Sequence, residues 1–209
     1  FGVMSKKMII TFEGIEGSGK SLHIENVAKH LKKKKINFIN IREPGGSRNS
    51  EKIRKLILNN KSNFNKNTDL LLYLASRSEN LEKIINKNYK KKVILIDRFT
   101  DSTIAYQHYG MGINLKLIQI LNKYLLKKIK IDFTFLNIVN KKNLELRLLK
   151  RKRLNRYDKF KYSFYKKVQS GFVKQAKKNS RKYLIINSNT QINKNKTIII
   201  NKLNKLLNI

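Results

Sequence analysis

Short apolar runs alternate with longer stretches of helical period along most of the chain. Strands are predicted at about Met8 to Glu13, Asn37 to Arg42, Lys92 to Asp97, Asp132 to Ile138 and Tyr183 to Asn187. Helices are predicted over Lys20 to Lys34, Arg48 to Asn59, Thr68 to Asn88, Asn114 to Lys130, Lys141 to Lys150, Asp158 to Asn179 and Thr190 to Leu207. This alternation predicts an α/β fold in three layers, a mostly parallel five-stranded sheet with helices on both faces. In such sheets ligands bind beyond the carboxyl ends of the strands. No repeat, linker or composition break divides residues 1–209, so one domain is expected. The residues before Met8 are expected to have no structural role.

Apolar stripes within the helices mark buried faces. Phe160, Phe164, Val168, Phe172 and Ala176 recur every fourth residue, the mark of a helix side packed on a core. Leu117, Leu121 and Leu125 lie in a segment so rich in Leu and Ile that it fits either burial within one chain or a subunit interface. A homodimer is the expected assembly.

The first strand runs directly into Gly14, Ile15, Glu16, Gly17, Ser18, Gly19, Lys20 and Ser21, which fit the pattern GxxxxGKS. This is the phosphate-binding loop of P-loop NTPases. Its glycines let backbone N–H groups turn around phosphate oxygens, Lys20 adds charge at the β/γ position, and the Ser21 hydroxyl is a ligand for Mg²⁺. The following helix aims its positive end at the same anion. Glu16 puts a carboxylate inside an anion cradle, and such a group needs a local partner. No NKxD motif is present, which argues against a common GTPase.

Five further segments fall at strand ends or on helices that could overhang them. Asp97 ends the run Val93 to Ile96, where a carboxylate can hold the Mg²⁺ shell, and Arg98 beside it can reach a second anion. Arg42-Glu43-Pro44-Gly45-Gly46 offers a forked donor before a tight turn that contains the chain's one proline. Tyr73 and Arg77 share a helix face, either as a stacking platform with a polar reader or as a packed aromatic-arginine pair. Ser102 and Tyr106 share another face, with Thr103 and Gln107 beside them. Arg147, Arg151, Arg153 and Arg156 concentrate guanidinium groups where Lys dominates elsewhere, as in a phosphoryl-clamping lid or a basic surface helix.

Charge alone suggests another class of function. The formal charge of +35, from 48 Lys+Arg against 13 Asp+Glu, raises the prospect of nucleic-acid binding. Lysine is scattered over nearly every polar segment with little aromatic interleaving, however, and Lys, Asn and Ile have the codons richest in A and T. Solvated faces set by nucleotide bias are therefore favoured over a specific nucleic-acid surface. With no cysteine, no secretory apolar core and no apolar run near 18 residues, a soluble cytoplasmic protein without membrane partners is expected.

Over nearly its full length the chain resembles the thymidylate kinases, nucleoside-monophosphate kinases of the P-loop class. The resemblance rests on FEGIEGSGKS at Phe12 to Ser21, REPGG at Arg42 to Gly46, YLASR at Tyr73 to Arg77, DRFTDSTIAYQ at Asp97 to Gln107 and LNRYD at Leu154 to Asp158. It implies transfer of the γ-phosphoryl group of ATP to dTMP, with Mg²⁺ held by Ser21 and Asp97. Another nucleoside monophosphate or a deoxynucleoside is the alternative acceptor.

The resemblance also implies roles for single residues. Glu16 is expected to accept a hydrogen bond from the sugar 3′-hydroxyl, Tyr73 to stack on thymine and Arg77 to contact the base. Arg42 and Arg98 would hold the acceptor phosphate beside the Pro44 turn, Tyr106 would crowd the 2′ position, and Ser102, Thr103 and Gln107 would line the pocket. Lys20, Arg98 and a lid arginine, Arg153 or Arg156, would assist transfer from a lid at about 148–158. Tyr73 stands where phenylalanine is common, and Asn137 stands where the family often has an aspartate.

Overall fold

The computed structural model describes residues 7–152 and 154–209. The expectations for the first residues and for Arg153 lie outside that range. Five strands, β1 (Met8–Glu13), β2 (Phe38–Arg42), β3 (Val93–Asp97), β4 (Phe133–Ile138) and β5 (Tyr183–Asn187), form one sheet in the order β2-β3-β1-β4-β5. Every pairing is parallel, and Phe12 and Arg42 both stand opposite Asp97, so β1, β2 and β3 end level with one another.

The helices are α1 (Lys20–Lys33), α2 (Arg48–Leu58), α3 (Lys66–Asn80), α4 (Thr100–Thr103), α5 (Leu115–Leu126), α6 (Lys141–Leu149), α7 (Tyr162–Lys178) and α8 (Ile192–Leu207). Side-chain caps start several of them: Ser47 accepts from the Ser50 N–H, Asn65 from Asn67 and Thr68, Asn114 from Leu117, and Asn140 from Asn143. By contrast α1 starts at Gly19 in a left-handed conformation with no side-chain cap. Its first-turn donors stay available to a bound anion.

Alternation within the strands decides which helices cover which face. Ile10 and Phe12 of β1, with Val93, Leu95, Phe133 and Phe135, pack against Ile24, Val27 and Leu31 of α1 and Ile199, Leu203 and Leu207 of α8. Ile9, Ile94 and Ile96 face the other way, onto Leu81, Ile85 and Phe99. Because β1 and β3 are buried on both faces, they read in sequence as continuous apolar runs rather than alternating ones. A third cluster joins Ile15 and Leu136 to Tyr106, Tyr157, Val168, Phe172 and Ala176.

Differences from the sequence-based reading concentrate at helix irregularities. The helix predicted from Thr68 to Asn88 starts at Lys66 and changes to a π-helical turn at Leu81–Ile85 before Asn86–Asn88. An unpredicted helix occupies Thr100–Thr103 and runs on as π-helix through Ile104–Gly110. It meets α7 closely: a Cβ on Gly171 would lie 2.4 Å from Tyr109, so a larger residue there would force the two helices apart. The helix placed at Asp158 to Asn179 begins only at Tyr162, after a 3₁₀ turn at Arg156–Lys159. α5 stops at Leu126 because Lys127 turns to a φ of 50°.

Phe135 ties the sheet centre together, stacked on Phe12 at 5.2 Å and set edge-on to Phe133 at 5.2 Å. Phe135→Ala is expected to destabilise the protein by about 3–5 kcal/mol, read as a lower urea midpoint with an unchanged m value. A loss under about 1 kcal/mol would contradict this account of the core.

Candidate active site

A cavity opens at the level ends of β1, β2 and β3. Its lining combines the phosphate loop (Glu16, Lys20, Ser21), the β2 turn (Glu43, Pro44), α2 (Arg54, Leu58) and α3 (Tyr73, Arg77). It continues through the β3 end (Asp97, Arg98, Phe99) and the helix after it (Ser102, Thr103, Tyr106, Gln107) to the segment after α6 (Arg151, Asn155, Tyr157). Residues far apart in sequence thus meet in one place because parallel strands deliver their following loops to the same edge.

The loop is shaped by close backbone approach. Gly14 has a φ of 138°, and a Cβ there would lie 2.3 Å from the carbonyl oxygen of Asn137. Asn137 Nδ2 donates to Ser188 Oγ at 3.0 Å and its backbone underlies the loop, while its buried Oδ1 has no partner. Lys20 Nζ donates to the carbonyls of Gly14 and Ile15, each at 2.9 Å. Arg147 braces the loop from outside, donating to the carbonyls of Gly17 at 2.7 Å and Ser188 at 2.6 Å. Burial, with the nearby Arg98 charge, lowers the Lys20 ammonium to about 8.

Glu16 has the local partner that a carboxylate in this loop requires. Arg98 Nη2 donates to Glu16 Oε1 at 2.9 Å, and the Tyr106 hydroxyl donates to Oε2. Burial alone would raise the Glu16 carboxyl, but Arg98, Lys20 and the Tyr106 hydrogen bond outweigh it and hold it below the usual range. Arg98 adopts a φ of 65°, which returns its side chain over the cavity to lie 5.1 Å from the centre of the Tyr106 ring. Ser102 Oγ accepts from Arg98 at 3.3 Å and donates to Glu13 Oε2 at 2.6 Å.

The β2 turn is fastened to two helices. The Gly45 N–H donates to Ser50 and Ser76 hydroxyls, the Gly46 N–H to Glu51 Oε1 at 2.8 Å, and the Ser47 N–H to Asn80 Oδ1 at 2.9 Å. The Glu43-Pro44 peptide is cis. Between these anchors Arg77, only 1% exposed, donates to Glu43 Oε2 at 2.8 Å and Asn122 Oδ1 at 2.6 Å. Burial raises the Glu43 carboxyl despite that neighbour, and its Oε1 has no partner.

Several buried polar atoms at the cavity are likewise unpaired: Asp97 Oδ1, Thr103 Oγ1 and Gln107 Nε2. A buried polar atom without a partner costs about 1–3 kcal/mol, so an arrangement carrying several of them fits a ligand that supplies the missing bonds. Asp97 and Ser21 both line the cavity, and their hard oxygens suit Mg²⁺, which takes one or two carboxylates and completes its shell with phosphate and water.

Two expected site residues lie elsewhere. Arg42 points away from the cavity, 55% exposed at its side chain, and its Nη2 donates to Glu51 Oε2 at 3.1 Å. Arg54, one helix turn beyond Glu51, lines the cavity instead and donates to the Pro44 carbonyl at 2.6 Å. Arg156 turns away from the cavity to pair with the buried Asp69 and borders a separate surface cleft with Phe64 and Phe160. Arg151 is the arginine of that segment that reaches the cavity, held there by Asp158. Arg54 carries no distinctive sequence signal as a lining residue, because basic residues are everywhere in this chain; Arg151 stands in the arginine-rich segment and Asn155 and Tyr157 in LNRYD, but nothing local marks that these turn inward.

Glu13, buried beneath the site, accepts from the Phe99 N–H at 2.8 Å. Burial, reinforced by the nearby Asp101 charge, raises its carboxyl to about 7. The folded state therefore holds a proton there that the unfolded chain has already released, and this contribution to stability is lost as pH rises from about 4.5 through about 7. Glu13→Gln is expected to flatten that part of the stability profile, measured by urea unfolding at successive pH values; an unchanged slope would refute the assignment.

Comparison with known proteins gives the same direction. The thymidylate kinase family model matches residues 12–199. Thymidylate kinase of Thermosipho africanus is 38% identical over 179 residues, covering 85% of this chain and 89% of that one. The enzyme of Acholeplasma laidlawii is 36% identical over 204 residues, covering 96% and 100%. A crystal structure of thymidylate kinase from Ehrlichia chaffeensis superposes with a TM-score of 0.76 at 34% identity, covering 94% of this chain and 97% of the other. With a phosphate loop opening on a cavity of cationic excess and this likeness over nearly its whole length, the chain belongs to the thymidylate kinase family.

Proposed function

We infer that the chain transfers the γ-phosphoryl group of ATP to the phosphate of dTMP, giving dTDP and ADP. The observation that carries this reading is one cavity in which a phosphate loop faces a Tyr73, Arg77, Thr103 and Gln107 wall suited to a flat base. The family match supports it independently.

The acceptor phosphate is already largely anionic, so no strong general base or protein nucleophile is required. Catalysis then rests on in-line positioning and on donors aimed at the equatorial oxygens of the transferring group. Lys20 leaves the loop carbonyls for the β/γ oxygens of ATP, and Arg98 and Arg151 bracket the acceptor side. Bound Mg²⁺, held by Ser21 and Asp97, would offset phosphate charge. Glu16, kept ionised by Arg98, accepts from the sugar 3′-hydroxyl, while the Tyr106 ring fills the space a 2′-hydroxyl would occupy. Tyr73 stacks on the base, and Gln107 and Thr103 supply its unpaired polar partners.

The exposed Leu71 on α3 and Leu117, Ile120 and Tyr124 on α5 support a homodimer through these packed helices. Among the described residues, no helix is long and apolar enough to cross a membrane. A cytoplasmic location and the absence of a specific nucleic-acid partner remain part of the proposal.

Turnover with dTMP, dUMP, dCMP, dGMP and thymidine, each with ATP, tests the acceptor: dTMP is expected to give the highest kcat/KM, and preference for another acceptor would overturn the assignment. Lys20→Ala is expected to lower turnover by about 10²-fold or more. Tyr106→Phe keeps the ring but removes the donor to Glu16, so it should mainly perturb sugar binding, read as a raised KM for dTMP, or discrimination against the ribose counterpart. In the unliganded enzyme ATP affinity is expected to fall as pH rises through about 8, where the Lys20 ammonium loses its proton; a flat calorimetric profile from pH 7 to about 9 would argue against that lysine as the phosphate ligand.

A further inference from the structure

We propose that Asp69 is a positioning residue for phosphoryl transfer: from α3 it seats the segment after α6, and thereby holds Tyr157 and Arg151 against the acceptor cavity. The inference rests on reading Arg151 as the arginine that faces the transferring phosphate.

Asp69 sits in the first turn of α3 and is 2% exposed. It is not needed to cap the helix, because Asn65 already accepts from the N–H groups of Asn67 and Thr68. Both of its carboxylate oxygens are instead committed to two adjacent residues almost ninety positions further along the chain. Oδ1 accepts from Arg156 Nη2 and Oδ2 from the Tyr157 hydroxyl. Charge-assisted bonds from a buried carboxylate are strong and directional, and two of them fix both the place and the rotation of the 3₁₀ turn that carries these donors.

That turn builds part of the cavity. The Tyr157 ring stands edge-on to Tyr73 at 6.1 Å and to Tyr106 at 5.8 Å, so it backs the two rings assigned to base and sugar. The Tyr157 carbonyl accepts from the Tyr165 hydroxyl, which ties the same residue to α7. One position on, Asp158 accepts from the Asn155 N–H at 2.9 Å, closing a capping box, and pairs with Arg151. Two ion pairs, Asp69 with Arg156 and Asp158 with Arg151, are therefore joined through the backbone of the turn, which links Asp69 to the guanidinium in the cavity. It also accounts for Arg156 without a phosphate: its Nη2 is taken by Asp69, and its guanidinium carbon lies 5.1 Å from the Tyr157 ring centre and 5.7 Å from that of Phe64.

Asparagine at position 69 preserves size but carries no charge: its oxygen can still accept from Arg156 and its N–H₂ can donate to the Tyr157 hydroxyl, so both charge-assisted bonds are weakened to neutral ones. The test compares steady-state kinetics of Asp69→Asn, Arg156→Gln, Asp69→Glu and Arg151→Ala with the parent enzyme. Asp69→Asn and Arg156→Gln are each expected to lower kcat by about tenfold or more and raise KM for dTMP, with KM for ATP within about twofold. The double variant should be no worse than the poorer single one, and Asp69→Glu should recover part of kcat. A purely structural role would lower the melting temperature and leave these parameters alone. If Asp69→Asn does not fold, Arg156→Gln, on the partly exposed side of the contact, carries the test. If the folded single variants keep kcat and KM for dTMP within about twofold, the inference is overturned. Near-normal turnover by Arg151→Ala would instead overturn the site reading beneath it, whereas loss in Arg151→Ala with normal Asp69→Asn and Arg156→Gln would sink the Asp69 inference alone.

Discussion

The ion pair between Arg98 and Glu16 is the interaction on which the rest of the site depends. It joins the loop after β1 to the end of β3, the two strands whose level ends define the cavity. Taking both charges out of water is costly, and the Coulomb attraction offsets this only where further hydrogen bonds complete each group. Here they do: Tyr106 donates to Glu16, Ser102 accepts from Arg98, and Glu13 accepts from Ser102 in turn. Arg98 meets this demand by taking a left-handed backbone conformation, while its N–H still bonds to the Phe12 carbonyl at 3.0 Å. One strained residue thus satisfies the sheet behind it and the cavity in front.

The same pair sets the charge of the cavity. Lys20, Arg54, Arg77, Arg98 and Arg151 line it against Glu16, Glu43 and Asp97, five cations to three anions, an excess of two positive charges. Without the carboxylates the five cations would repel one another in a poorly solvated space. Glu16 fixes Arg98 and Glu43 fixes Arg77, while backbone carbonyls hold Lys20 and Arg54, and the remaining excess is complementary to phosphate. Arg77 illustrates the division of labour, since Glu43 and Asn122 fix its guanidinium before any ligand arrives. Removing one member of such a buried pair costs about 3–5 kcal/mol, which makes Glu43 as much a part of the site as the arginine it holds.

Strand positions were legible because buried parallel strands leave continuous apolar runs between polar helices. The phosphate loop was legible because its chemistry needs fixed residue types at fixed spacing. What could not be read was the direction of long side chains. Arg42 and Arg54 are both cationic and both near the β2 turn, yet Glu51 draws the first outward and leaves the second at the cavity. Arg156 and Arg151 are exchanged in the same manner by Asp69 and Asp158. In each case a single carboxylate, chosen among few in a chain with 13 Asp+Glu, decides which guanidinium faces the ligand. The π-helical segment at Ile104–Gly110 was hidden for another reason: its residues suit an ordinary helix, and close packing on α7 at Gly110 and Gly171 accompanies the irregular winding.

This asymmetry between acids and bases also bears on the overall charge. Lysines mostly occupy exposed positions, whereas Arg77, Arg98 and Arg147 each hold two acceptors through the guanidinium fork, and Arg151 and Arg156 each pair with a buried aspartate. A lysine presents one flexible point charge and cannot hold two acceptors in a plane, so substitution pressure toward lysine is tolerated on the surface and resisted where a fork is required. The informative quantity in such a chain is therefore not its net charge of +35 but the few positions where arginine persists and the acid that stands opposite each one.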